Sequence, residues 1–190
     1  SSDLFVAGKT YTVTIPGYGG PVVRRYTFTK RPAIELSTRS GILIAGRPRT
    51  IGVTSRHLLK IAVRAAVLSD AQAGALLPAA ERGEAIAWPA GLTAVEREFS
   101  VTPQGVNEWA DTVVDLQALL GEARGAVIVE ARGLKAVRGE LPPPSRGVVQ
   151  VTNLTAVAVV APQRSMLQVV RVGDGMAVAG ATVGRFGTSD

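Results

Sequence analysis

The sequence contains no cysteine, which excludes disulfide frameworks, thiol catalysis and cysteine-ligated zinc. It has one histidine, His57, so clusters of imidazole ligands are excluded as well. Lysine is scarce: Lys9, Lys30, Lys60 and Lys135 are the only four among 21 basic residues, and the rest are arginine. No block of five or six like charges occurs, so nothing reads as a charged tail. Aromatic residues make up 5% of the chain, which leaves few platforms on which nucleobases could stack. Long apolar runs are missing too. The longest, Ala156 to Pro162, has seven residues with its proline counted, far short of the roughly 20 needed to span a bilayer. These absences remove most active-site chemistry and point to a structural or binding module, with no enzymatic activity and no cofactor.

The 190 residues are 46% hydrophobic and 19% charged. That is one to two domains of chain, apolar enough for packed cores and too sparsely charged for disorder. Glycine and proline cut it into short segments of alternating apolar and polar residues, the spacing of β-strands. In Lys9–Ile15, Tyr11, Val13 and Ile15 fall on one face and three threonines on the other. The turn-forming residues Pro16–Pro21 follow, then a second alternating run, Val22–Thr29, so the pair predicts an antiparallel hairpin. A hairpin alone is marginal in water, and residues 1–31 are read as the end of a preceding, truncated β-domain.

After Lys30–Pro32 a new set of strands is predicted at Ala33–Ser37, Arg49–Thr54, Leu58–Leu68, Glu84–Trp88, Ala94–Thr102, Asp111–Leu116 and Gly125–Ala131. Seven strands over about 100 residues suggest a β-sandwich, assigned to residues 32–141. Leu58, Ile61, Ala62, Ala65 and Ala66 also fit a helical face, but the strand is favoured. Ser69–Arg82 predicts a short helix capped by Ser69 or Asp70, and Gln117–Glu122 a single helical turn. The segment Gly139–Gly147 holds Pro142, Pro143 and Pro144, which cannot join a sheet ladder and stiffen toward polyproline II. It is therefore expected to be an inter-domain joint. Val148–Thr152, Leu154–Val160, Met166–Val172 and Ala181–Phe186 are then predicted strands of a further, truncated sandwich over 147–190.

Several of these segments, taken in order, resemble bacterial alpha-2-macroglobulins. Val148–Thr155, Met166–Val172 and Met176–Val183 are similar to the opening of the fourth macroglobulin-like domain, with Asn153, Thr155 and Met176–Ala177 departing from its pattern. Ala33–Leu43, Arg49–Leu68, Trp88 and Glu122–Ala131 resemble strands of the third such domain, and Gly8–Thr29 the closing hairpin of the domain before. The resemblance implies an all-β fold of Ig-like, macroglobulin-like antiparallel β-sandwiches in tandem. It further implies a scaffold segment of a very large periplasmic, cell-surface or secreted protease trap. Such a trap engages target proteases through the whole parent molecule, while these residues contact neighbouring domains of the same polypeptide. The thioester that many members carry needs a cysteine, and none is present here. The competing reading is an Ig-like spacer or glycan-binding module of a bacterial surface adhesin.

Individual residues admit sharper roles. A Ser-His-Asp triad would have to use His57 with Ser55, Asp70 or Asp111, yet no Gly-x-Ser-x-Gly elbow occurs. Carboxylate pairs could be drawn from Glu81, Glu84, Glu96 and Glu98, of which Glu96 and Glu98 share one strand face. Gly17–Gly20 lacks the Lys-Ser/Thr and helix of a phosphate loop. The pI near 10.3 meets the first criterion for nucleic-acid binding, but Arg24, Arg25, Arg47, Arg49 and Arg64 are spread over different segments, and no nucleic-acid partner is expected. Asn153-Leu154-Thr155 is formally a glycosylation acceptor. Trp88 and Trp109 read as core anchors or covers of a domain junction, with Trp109, beside Asn107 and Glu108, a candidate surface contact.

Overall fold

A computed structural model describes residues 9–16, 22–27, 30–105, 107–160 and 166–181. The strands are β1 (Thr10–Ile15), β2 (Val22–Thr27), β3 (Ala33–Leu36), β4 (Ser40–Ile44), β5 (Thr50–Arg56), β6 (Leu58–Val67), β7 (Val95–Ser100), β8 (Ala110–Asp115), β9 (Gly125–Ala136), β10 (Ser145–Thr152), β11 (Leu154–Val159) and β12 (Met166–Arg171). Helix α1 (Asp70–Glu81) lies between β6 and β7, and α2 (Leu116–Leu120) between β8 and β9. β1 and β2 form one antiparallel hairpin, and β11 and β12 another. Between them in sequence stands a β-sandwich of a three-stranded sheet, β3-β5-β8, and a five-stranded sheet, β4-β10-β9-β6-β7. All pairings are antiparallel except β4 with β10. This is the all-β antiparallel sandwich class expected from the alternation of the sequence.

The three central strands of the five-stranded sheet, β10, β9 and β6, are buried on both faces. Val127, Val129 and Ala131 of β9, Ile61, Val63 and Ala65 of β6 and Val149 and Val151 of β10 face the three-stranded sheet, where they meet Ile34, Leu36, Ile51, Val53 and Val114. The opposite face presents Ala66, Ala126, Ile128 and Val148 to Ala73 and Ala80 of α1, with Leu68, Ile86 and Trp88 closing the layer. Strands covered on both sides run continuously apolar instead of alternating. That is the reading of Ala126–Val129 and Val148–Val149. Helix α1 starts at a capping box: Ser69 Oγ accepts the Gln72 amide, and the Gln72 side-chain oxygen accepts the Ser69 amide.

Leu58–Val67 is a strand throughout. Its helix-like spacing has a physical origin: register shifts between Leu58 and Ile61 mark an irregularity that puts both side chains on the same face. The alanines beyond them alternate between two buried faces and mimic a helical stripe.

Three expectations are corrected. Glu84–Trp88 is not a strand; it crosses the outer face as irregular chain. Ala33–Leu43, read by resemblance as strand throughout, is two strands: β3 ends at Leu36, and Ser40–Ile44 is an edge strand of the large sheet. The proline run does not separate two sandwiches, because Ser145–Thr152 is hydrogen-bonded between β9 and β4 inside the sandwich that begins at Ala33. Pro142, Pro143 and Pro144 occupy the β9–β10 connection, where the missing amide of proline costs no ladder bond. The predicted strand at Ala181–Phe186 lies outside the described residues beyond Ala181, as does the Gly17–Gly20 turn.

The first strand switches sheets. β3 pairs with β5, and after Ser37–Arg39 the same run continues as β4 alongside β10, with Ser40 opposite Val148 and Ile44 opposite Thr152. Both β4 and β10 run the same way, so the chain enters the sandwich at Ala33 at one end and leaves at Thr152 at the other. At about 3.3 Å per residue, the two points are roughly 35 Å apart.

Candidate functional site

Two constellations stand out, one on the helix-covered face of the large sheet and one at the end where the chain enters. On the face, Arg146, Glu130, Arg64 and Glu96 occupy directly paired positions on β10, β9, β6 and β7. Cross-strand opposites of unlike charge attract, and here they form a row across four strands. Glu130 is only 2% exposed. Its carboxylate accepts from Arg64 Nε at 2.8 Å and from Arg146 Nε at 2.5 Å. Burial opposes ionisation of Glu130, but the two guanidinium groups outweigh it and hold its carboxyl below the usual carboxylate range. Arg64 also stacks on Trp88, its guanidinium carbon 4.0 Å from the ring centroid, and Arg146 donates to the Ile86 carbonyl at 3.0 Å. The row thus fastens the irregular 84–94 segment onto the sheet.

Glu96 accepts from Arg132 at 2.8 and 3.0 Å, and Glu98 pairs with Lys60. The two carboxylates that sequence placed on one face are therefore each matched to a cation, not to each other as glycosidase chemistry requires.

At the entry end, the segment before β3 is gripped by side chains. Asn107 Oδ1 accepts the Lys30 amide at 2.8 Å, and Arg56 donates through Nε and an Nη to the Arg31 carbonyl at 3.3 and 3.2 Å. Each gripping residue is itself held. Arg56 lies over Trp109 at 4.7 Å from the ring centroid, and the Asn107 amide donates to His57 Nε2 at 3.2 Å. His57, with φ 56°, and Asn107, with φ 69°, are the non-glycine residues of positive φ among the described residues. Such backbone is sparsely populated for L side chains, asparagine being the more tolerant. Beside this grip, Arg31, Pro32, Pro142 and Pro143 line a groove of about 510 Å³.

The candidate catalytic residues are not brought together. His57 precedes β6 and Asp70 follows it, so the ten-residue strand separates them. The Ser55 hydroxyl is buried without a partner, as is His57 Nδ1, the atom a triad aspartate would accept from. Trp109 is 39% exposed and stacked by Arg56. Asn153 lies at the turn between β10 and β11. Among the described residues no three His, Asp or Glu side chains are grouped to hold a metal ion, and no helix is long and apolar enough to cross a membrane. Sequence reasoning missed the Glu130 pairs, Arg56 and Asn107. Only the left-handed tolerance of asparagine in a short polar loop carried any signal.

No protein-family model and no curated protein matches the sequence. Solved structures similar in fold include two fragments of one protein. The crystal structure of native alpha-2-macroglobulin from Escherichia coli spanning domains MG0-NIE-MG1 superposes with a TM-score of 0.57 at 15% identity, over 92% of this chain and 60% of that one. The fragment spanning NIE-MG1 gives 0.55 at 14% identity, over 78% of this chain and 73% of that one. The chain thus spans three fifths of the longer fragment. These neighbours carry the fold likeness to alpha-2-macroglobulin and lend no support to a placement at the third and fourth macroglobulin-like domains.

Proposed function

We propose that this chain is a scaffold segment of a bacterial alpha-2-macroglobulin-like protease trap that works outside the cytoplasm, in the periplasm or at the cell surface. The observation that supports this most is the fold likeness over 92% of the chain to an alpha-2-macroglobulin fragment. The segment is assigned to the kind of region those fragments cover. In this reading its residues perform no chemistry. They hold neighbouring domains of the same polypeptide at a fixed spacing while cleavage elsewhere in the parent drives domain movement.

The geometry suits that role. Entry and exit at opposite ends make the sandwich a strut, and a packed sandwich transmits displacement without deforming. The hairpins on either side expose Ile15, Val23 and Tyr26, and Val157, Val159 and Leu167. Two-stranded hairpins are marginal alone, so in this reading these surfaces pack against further strands of the parent. An end-to-end strut also suits an Ig-like spacer or glycan-binding module of a surface adhesin, which is the second reading.

The test uses the natural full-length product. Its intact mass is measured with and without methylamine, which would open an internal thioester and add its own mass. The product is then incubated with a broad-specificity protease and assayed on peptide and protein-sized substrates. A parent several times larger than this chain, after which the protease still cuts peptides but no longer cuts proteins, is expected. A large parent that leaves the protease unaffected favours the adhesin, and a product near 19.8 kDa overturns both.

A further inference from the structure

We propose that His57 is a protonation-gated latch on the segment that leads into the sandwich. The atoms form one chain of contacts: His57 Nε2 accepts the Asn107 amide at 3.2 Å, and Asn107 Oδ1 accepts the Lys30 amide at 2.8 Å. An imidazole nitrogen that accepts an N–H carries no proton, so the neutral ring bears its proton on Nδ1. Among the described residues the buried Nδ1 has no partner, which leaves the Asn107 bond as the ring's one polar tie there. That tie also steadies Asn107 in its left-handed conformation, and the conformation aims Oδ1 at the linker.

A proton taken from solvent at Nε2 replaces the lone pair with an N–H. Two donors then face each other, the Asn107 amide loses its acceptor, and the strained backbone at 57 and 107 loses the contact that holds it. Charged residues lie on the neighbouring chain: Lys30 and Arg31 on the linker, Arg56 before His57, Glu108 after Asn107, Arg138 after Val137, whose amide donates to the His57 carbonyl, and Glu140, which lines the groove with Arg31 and Pro32. Among the described residues no carboxylate is ion-paired with His57, so a charged ring has no anion in place to re-pair with. Asn107 then releases Lys30, and the grip on the linker falls to Arg56 alone. Acidification is therefore the signal that opens the latch.

Because the chain has one histidine, ring nitrogen resonances of the labelled full chain report on His57 without ambiguity. The experiment follows those resonances, and the hydrogen exchange of the Lys30 and Asn107 amides corrected for intrinsic rates, from about pH 8 to about pH 5. The expected result is a neutral ring protonated on Nδ1. Protection at Lys30 and Asn107 then falls roughly three- to tenfold together as the ring titrates, the worth of one lost hydrogen bond, while β3 and β10 amides hold. The His57→Asn variant, whose new side chain tolerates the left-handed backbone, loses the pH dependence. Should that variant unfold, Asn107→Gly keeps the backbone and removes Oδ1, with the same expected loss at Lys30. A neutral ring protonated on Nε2, a ring that keeps one charge state throughout, unchanged Lys30 protection as the ring titrates, or the same pH dependence in a folded variant overturns the proposal.

Discussion

Ser145 Oγ accepts the backbone amide of Leu36 at 3.0 Å across 109 residues of sequence. Both groups are buried, and the bond sits where the first strand leaves the small sheet for the large one. It ties the beginning of the sandwich to the strand that follows the prolines. The unit that folds together therefore closes at Thr152 and not at the proline run.

A piece covering residues 32–153 is accordingly expected to unfold cooperatively, whereas one ending at 141 does not fold. The shorter piece loses Val148, Val149 and Val151, each almost wholly buried, at about 1.5 to 3 kcal/mol apiece. It also strips both neighbours of a central strand of their ladder bonds. Together these losses match the 5 to 15 kcal/mol of net stability an ordinary domain has. Thermal melts by circular dichroism of the two pieces check this, and a cooperative transition in the shorter one refutes it.

Thr10–Ile15 was legible in the sequence because apolar–polar alternation is a local signal. It was harder to read where both faces are dry: Ala62, Ala65 and Ala66 imitate a helix since each face of β6 is buried for a different reason. The proline run misled because prolines mark any segment outside a ladder, and a hairpin connection qualifies as well as a linker. The Glu130 site was illegible, for its partners Arg64 and Arg146 stand 66 and 16 residues away and only the sheet order makes them neighbours. Nothing in the sequence around His57 announces a positive φ shared with Asn107.

Glu130 links stability to pH. Its folded carboxyl titrates below the ordinary value of 4.5, so its contribution is complete above that value and is lost as pH falls through the lower, folded one. Urea unfolding measured stepwise on acidification should show stability declining from about pH 4.5 downward. In Glu130→Gln the slope should be shallower, and the neutral-pH stability about 3 kcal/mol lower, because Arg64 and Arg146 are left half-buried without their anion. An unchanged slope would remove Glu130 from the account of acid sensitivity.

Gly147 is required for space. A Cβ there would lie 2.7 Å from the Arg39 carbonyl oxygen and 2.9 Å from the Arg39 Cα, both backbone atoms of the crossover between β3 and β4. The neighbouring Val148 amide donates to that same carbonyl, so the crossover cannot retreat without breaking a ladder bond. Gly147→Ala should cost about 2 to 3 kcal/mol. Gly173→Ala, which meets nothing within 4 Å, should change stability by less than about 0.5 kcal/mol. Chemical denaturation of the pair compares the two directly, and equal effects would mean the crossover yields.

Arg49 closes the other end of the sandwich. Its side chain is 2% exposed, and one Nη donates to the carbonyls of Gly121 and Ala123, both at 3.1 Å, while the other meets Glu122 at 3.0 Å. A five-residue helix leaves most of its terminal carbonyls unpaired, and this guanidinium satisfies the chain just beyond α2, where Gly121 turns with φ 62°. Replacing it with methionine keeps the apolar stem and abandons two carbonyls, at about 2 to 3 kcal/mol. Lysine should recover little, since a single ammonium on a flexible stem lacks the planar fork that reaches two carbonyls and a carboxylate together. Thermal melting of Arg49→Met and Arg49→Lys, with amide exchange read at residues 121–124, tests this. If lysine restored the parental melting temperature, charge alone would be sufficient and the fork would have no part in holding the turn.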